Sequence, residues 1–269
     1  AQMLEKEKPI VAFGPSDPPL EYLMNLIAIV RDTNCAVTKQ ILDYEQSETN
    51  NWNPTKVESN EDLNALLAQK LQVNNCIEIQ GPPGTGKTYR MAALSAELLR
   101  QGKSVLVTAL TNQALIELVK KKDLKDFLDA HKITKTSLTV DESKELPKLQ
   151  PNPKNLCNAA PGYLSLATFY LSSAWAKDAI EIPFDYVIMD EASQALYPMI
   201  AASMKLGRKI IWIGDQNQLP PIVLTGKDVI NRYDWGAIVK GFNTLCTNFS
   251  YPSYMFCLLY TSDAADEAR

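Results

Sequence analysis

The sequence predicts an α/β protein built on a parallel β-sheet with helices on both faces. Near-continuous apolar segments alternate with helical ones, the pattern of strands covered on both sides. A Gly-rich turn separates the first such strand from the helix after it, and the later strands end in acidic or Gly-acidic turns. Ligands of a parallel sheet lie outside those carboxyl ends.

Residues 1–60 carry no chemical motif and are read as a mostly helical segment, the tail of an upstream domain. Pro9, Pro15, Pro18 and Pro19 mark an irregular start, Leu20 to about Glu45 reads as helix, and Asn50 to Pro54 as a loop. A helix from about Glu61 to Leu71 leads into the first strand, Cys76 to Gln80. The following helix, Thr88 to Arg100, is closed by Gly102, and Ser104 to Ala109 is the second strand. A helix from Asn112 to about Lys121 precedes the polar, Pro-rich stretch 122–160, read as an insertion. Tyr163 to Ala167, Phe184 to Met189 and Lys209 to Ile213 supply strands three to five. The core domain is thus expected over residues 61–225, with 226–256 beginning a connection to a further domain.

Composition bounds the class. With 269 residues, 46% apolar and 22% charged, the chain has the make-up of one or two globular domains. No apolar run reaches the ~18 residues of a membrane span, and Ala1 to Lys6 lacks the basic-then-apolar order of a secretion signal. Five scattered cysteines without a C-x-x-C pair argue against zinc or disulfide frameworks and fit a reducing cytoplasm. A net charge of −4 excludes nucleic-acid binding driven by bulk charge. Lys120, Lys121, Lys122, Lys125, Lys132 and Lys135 form a local basic cluster, read either as a solvated face interleaved with Asp123, Asp126 and Asp129 or as a phosphate-tracking rim.

The segment Gly81-Pro82-Pro83-Gly84-Thr85-Gly86-Lys87-Thr88 fits G-x-x-x-x-G-K-[ST] in the strand–turn–helix setting that motif requires. Glycines let the backbone approach an anion, and successive N–H groups with the helix N-terminus supply positive potential. Lys87 would reach the β- and γ-phosphates of a nucleoside triphosphate, and the Thr88 hydroxyl would ligate Mg²⁺. Asp190-Glu191 follows the fourth strand: Asp190 would hold the Mg²⁺ shell, and Glu191 would act as general base on the attacking water. The competing reading is an acidic pair capping a helix. Gly214 to Pro221 follows the fifth strand and presents Gln218 beside a double proline, placed to sense the γ-phosphate. Thr111 and Asn112 after the second strand read either as helix caps or as contacts to the backbone of a single nucleic-acid strand, and Thr168 after the third reads either as core packing or as part of the same groove.

Together these segments resemble the superfamily 1 helicases, in the branch of the nonsense-mediated-decay helicase and its DNA-processing relatives. GPPGTGKT looks like motif I, TALTNQAL (108–115) is similar to motif Ia, and SLATFY (165–170) to the motif after it. DEASQA (190–195) is similar to motif II and GDQNQLPPIV (214–223) to motif III. The resemblance covers about residues 76–223 and implies the first RecA-like domain of a P-loop NTPase. It further implies ATP-driven movement along single-stranded DNA or RNA, 5′ to 3′, by two RecA-like domains closing around Mg-ATP. An ATPase remodeller or a nucleotide switch without strand separation is the alternative.

Two departures stand out. The family's adenine-reading glutamine has no match before the phosphate loop, where this chain has Asn64, and Gln69 is a weak substitute. The second RecA-like domain, which supplies transition-state arginines, is missing: after Pro221 the arginines are Arg232 and Arg269. Cys257 to Glu267 looks like the conceptual translation of a transposon-end sequencing adapter, so residues 257–269 are expected to be non-native and the parent gene to continue differently after Phe256.

Overall fold

The computed structural model describes residues 20–32, 36–42, 52–57, 63–152, 157–221, 226–233 and 235–256. The expected adapter-derived tail and the irregular start lie outside these residues.

Along the chain, α1 (Leu20–Arg31) and α2 (Ala36–Leu42) precede β1 (Thr55–Val57), α3 (Leu63–Val73) and β2 (Cys76–Gln80). Then come α4 (Lys87–Arg100), β3 (Val105–Ala109) and α5 (Asn112–Val119). The polar stretch carries α6 (Lys125–Asp129), β4 (Ile133–Lys135), α7 (Val140–Glu145) and β5 (Gln150–Pro151). β6 (Leu164–Thr168), α8 (Phe169–Asp178), β7 (Phe184–Met189), α9 (Tyr197–Leu206) and β8 (Gly207–Gly214) complete the central run. α10 (Lys227–Arg232), α11 (Gly236–Val239), α12 (Gly241–Asn248) and β9 (Ser253–Phe256) end it.

Nine strands form one sheet in the order β1-β9-β2-β8-β7-β3-β6-β4-β5. Every pairing is parallel. Side chains alternate across a strand, and here each alternation enters a core. On β7 and β8, Ile188, Ile211 and Ile213 join the cluster that includes Leu67, Met91, Leu98 and Leu115 of α3, α4 and α5. Val187, Met189, Ile210 and Trp212 join the opposite cluster, with Leu26 of α1, Trp175 of α8, Ile200 of α9 and Phe242 of α12. Both faces are thus covered by helices, which is why the strands read as unbroken apolar runs.

Four strands go beyond the five legible in the sequence. The stretch 122–152 adds β4 and β5 to the edge of the same sheet. Part of its basic cluster is structural: Lys120 pairs with Glu117 and Glu145, both at 2.7 Å. Lys135 is buried against Glu142 at 3.2 Å. In residues 226–256, expected to begin a connection to a further domain, α12 packs into the core through Phe242, Leu245 and Cys246 and β9 lies between β1 and β2.

Candidate nucleotide site at the carboxyl rim of the sheet

Since all strands run one way, the residues that follow them share one rim. In sheet order the rim presents Gly81–Thr88 after β2, Asp215–Gln218 after β8, Asp190–Glu191 after β7, Thr111–Asn112 after β3 and Thr168 at the end of β6.

The Gly-rich turn has the backbone of an anion cradle. Gly84 and Gly86 have φ of 78° and 67°, a region that side-chain-bearing residues rarely enter. Gly86 caps α4, whose N-terminus starts at Lys87 and offers unpaired N–H groups toward the turn. A Cβ on Gly81 would lie 2.5 Å from Lys87 Cδ and 2.8 Å from Cγ, so the lysine stem folds back over the glycine. Buried Thr85 donates its hydroxyl to the Pro82 carbonyl at 2.8 Å, fixing the turn from within. Pro83 is exposed, and Thr88 is half-buried in the first turn of α4.

Asp190 and Glu191 take different postures. Asp190 is buried at the end of β7, its N–H bonded to the Thr108 carbonyl at 2.9 Å and its Oδ1 accepting the Glu191 N–H at 2.8 Å. Burial raises its proton affinity to a pKa of about 6, against the pull of that N–H and of the nearby Lys87 charge. Glu191 has φ 53° and makes no side-chain capping bond to the 3₁₀ turn Ala192–Gln194. The capping alternative therefore does not describe this residue. Burial also raises the proton affinity of Glu191, with Lys87 again opposing. Its Oε2 is buried without a hydrogen-bond partner. A carboxylate oxygen left without a partner among buried groups is costly unless something arrives to use it.

This rim fits a Mg²⁺-nucleotide by its donor set: a lysine beside two carboxylates, a hydroxyl at a helix start and a wound glycine turn. The Gln218 loop is fastened to it. Gly81 N–H bonds the Gly214 carbonyl at 2.8 Å, and Gln218 N–H bonds the Asp215 carbonyl at 3.0 Å. Gln80 Nε2 donates to Asp215 Oδ1 at 2.6 Å. Sequence reading passed over Gln80. Its signal in the sequence is a polar amide closing the strand directly before the glycine turn. Gln69, the weak substitute for a base reader, is exposed on α3, and Asn64 is half-buried there. Arg232 is exposed at the end of α10, and Arg269 lies outside the described residues.

The nucleic-acid candidates occupy the neighbouring strand ends, in register through Ala109 and Thr168. Thr111 Oγ1 accepts the Ala114 N–H at 3.2 Å and so caps α5, while Asn112 is exposed beside it. Thr168 caps α8 without a side-chain bond.

The chain is similar to several known proteins. A family model described as an AAA domain matches residues 58–148 and 166–226. The DNA replication ATP-dependent helicase/nuclease DNA2 of Saccharomyces cerevisiae is 30% identical over 162 residues, 54% of this chain and 10% of the yeast protein. The regulator of nonsense transcripts 1 homolog of Drosophila melanogaster is 30% identical over 185 residues, 55% of this chain and 16% of the fly protein. The solved structure of Bacteroides sp Pif1 in complex with ADP-AlF4 covers 78% of this chain and 45% of its own, at a TM-score of 0.41 and 18% identity. The chain spans between 10% and 16% of the length of the two relatives named here. No helix among the described residues is long and apolar enough to cross a membrane.

Proposed function

This chain belongs to the AAA domain family, and from that premise we propose that it is the first RecA-like domain of a superfamily 1 helicase and that its carboxyl rim binds Mg-ATP. In the whole protein, that binding would drive movement along single-stranded DNA or RNA. The observation that supports this best is topological: all strand pairings are parallel, so the Gly81–Thr88 turn after β2 and the Asp190–Glu191 pair after β7 share one rim, with only β8 between them.

Gly81, Pro82, Pro83, Gly84, Thr85 and Gly86 form the cradle, Lys87 meets the outer phosphates, and Thr88 with Asp190 would hold Mg²⁺. When bound, the ion neutralises charge on the phosphate oxygens and draws electrons from the bond to be cleaved. Glu191, with its unpartnered buried oxygen, orients the attacking water and takes its proton. Gln218 reads the terminal phosphate from a loop stiffened by Pro220 and Pro221. Thr111, Asn112 and Thr168 form the track for a nucleic-acid backbone, with the ends of β8 and β7 between them and the phosphate turn. The scattered cysteines support a cytoplasmic setting.

A second motor domain belongs in this reading, because a transition-state arginine supplied from outside a nucleotide site is worth roughly 10³ or more in rate. The isolated chain should then bind Mg-ATP and hydrolyse it slowly. Titration with a fluorescent ATP analogue tests the site directly: saturable, Mg²⁺-dependent binding is expected, and its absence at millimolar nucleotide overturns the proposal.

A further inference from the structure

We propose that Gln80 is a positioning residue that locks the Gln218 loop to the phosphate loop, so that the two move as one body; this rests on reading the rim as a nucleotide site. Gln80 is the last residue of β2, directly before the cradle, and it pairs in register with Gly214, directly before the loop. Its amide works in both directions. Nε2 donates to Asp215 Oδ1 at 2.6 Å, and Oε1 accepts the Gln216 N–H at 3.1 Å. The same Asp215 oxygen accepts the Asn217 N–H at 2.9 Å, and the Asp215 carbonyl accepts the Gln218 N–H at 3.0 Å. Gln80 and Asp215 are each only 3% exposed, so water cannot replace these partners.

The chemistry selects glutamine. A buried side chain here must offer one donor to a carboxylate and one acceptor to a main-chain N–H at the same time, and an amide does both without charge. A glutamate would bring two acceptors against Asp215, and a methionine would bring neither donor nor acceptor. Together with the Gly81–Gly214 main-chain bond, the clamp gives the loop no freedom to shift independently of β2. Coupling of this kind is reciprocal: a filled cradle orders Gln216 to Gln218, and a released loop weakens nucleotide binding by the same factor.

The test measures amide hydrogen exchange in the whole chain, with and without Mg-ADP, for the unsubstituted protein, Gln80→Met and Gln80→Glu. Each variant is read against the unsubstituted protein at the same pH, 5.5 or 8. Losing one such bond should lower the protection of the Gln216, Asn217 and Gln218 amides about tenfold. Gln80→Met should show this loss at both pH values and bind Mg-ADP more weakly. Gln80→Glu should show it at pH 8 and recover at pH 5.5, because a protonated carboxyl repeats the donor–acceptor pattern of the amide. Burial beside the Asp215 carboxylate favours that proton. The other ionisable groups of this corner, Glu78 on the same strand, Cys246 on α12 and Lys87 after the cradle, are unchanged in all three proteins. Ile211 to Ile213 in β8 should keep their protection throughout. Unchanged loop protection in both variants at pH 8, a Gln80→Glu loss that does not recover in acid, or a loss that spreads equally to β8 each overturns the clamp. If instead Lys87→Ala leaves nucleotide binding intact, the nucleotide reading falls while the pH signature of the clamp can still be observed.

Discussion

Trp52 donates its indole N–H to Glu78 Oε2 across 2.7 Å, and that carboxyl has no exposed surface. Glu78 sits on β2 with Gln80, facing the helical layer that contains Phe242 and Cys246. Burial pushes its pKa up to about 8, with bonds from Trp52 and the Cys246 thiol pulling the other way. A carboxyl whose folded pKa lies above its unfolded value contributes stability that is fully present below the unfolded value near 4.5 and is lost as pH rises through about 8. Between those two values the loss is roughly 1.4 kcal/mol per pH unit, and it levels off above about 8, where both states are ionised.

Glu78→Gln keeps the shape and the acceptor for Trp52 but cannot ionise. Its melting temperature should be nearly flat between pH 6.5 and 8, where the unsubstituted chain loses several degrees, since each kcal/mol is worth about 2–4 °C at this size. Parallel melting curves for the two proteins across that range would remove Glu78 as the cause.

Lys87→Ala removes the cation whose stem covers Gly81. Binding of Mg-ATP, followed by fluorescence of a labelled analogue, should fall below detection while the fold, followed by circular dichroism, is retained. An unchanged affinity would contradict the assignment of the cradle.

Glu191→Gln should leave Mg-ATP affinity within about threefold and cut hydrolysis by roughly 10²–10⁴, the usual contribution of a general base. Phosphate release measured in the protein carrying both motor domains is the appropriate assay. A variant that hydrolyses at the original rate would return Glu191 to a structural role.

Thr111 has two candidate duties, and one substitution separates them. Aspartate caps a helix as well as threonine does, whereas alanine loses roughly 0.5–2 kcal/mol at such a position. Thr111→Ala should therefore lower the melting temperature. Thr111→Asp should keep it and, by repelling phosphate, weaken binding of a single-stranded oligonucleotide severalfold in fluorescence anisotropy. Equal oligonucleotide affinity for Thr111→Asp and the unsubstituted chain would leave capping as its role.

Gly214→Ala would place a methyl 2.8 Å from Phe242 Cδ1 and 2.9 Å from Cε1. Overpacking of this kind costs about 1–3 kcal/mol. Chemical denaturation should report that loss, and a neutral result would mean that α12 yields more easily than its buried packing implies.

The central strands were legible because both faces of the sheet are covered: Cys76 to Gln80 and Phe184 to Met189 are mainly apolar and each is followed by a glycine or acidic turn. The phosphate turn was legible because its glycines and lysine are fixed by chemistry at a set spacing. β1 and β5 were not, since Thr55–Val57 and Gln150–Pro151 are too short to show a period of two. β4 was hidden because Thr134 and Lys135 are polar residues buried by partners, Glu142 among them, that the sequence pattern cannot reveal. Leu20 to Glu45 reads as one helix, yet two described helices occupy that stretch, Leu20–Arg31 and Ala36–Leu42. Gln80 escaped notice because its meaning lies in a partner 135 positions away.

The placement of β9 between β1 and β2 has a consequence for biosynthesis. As the polypeptide leaves the ribosome, β1 has no neighbour among the described strands until some 200 further residues have been made, and the matching flank of β2 stays bare for most of that interval. Pairings this distant in sequence form late and slowly. A nascent chain halted before Ser253 would expose that flank as a ready partner for other strands, so β9 is the strand that shields it.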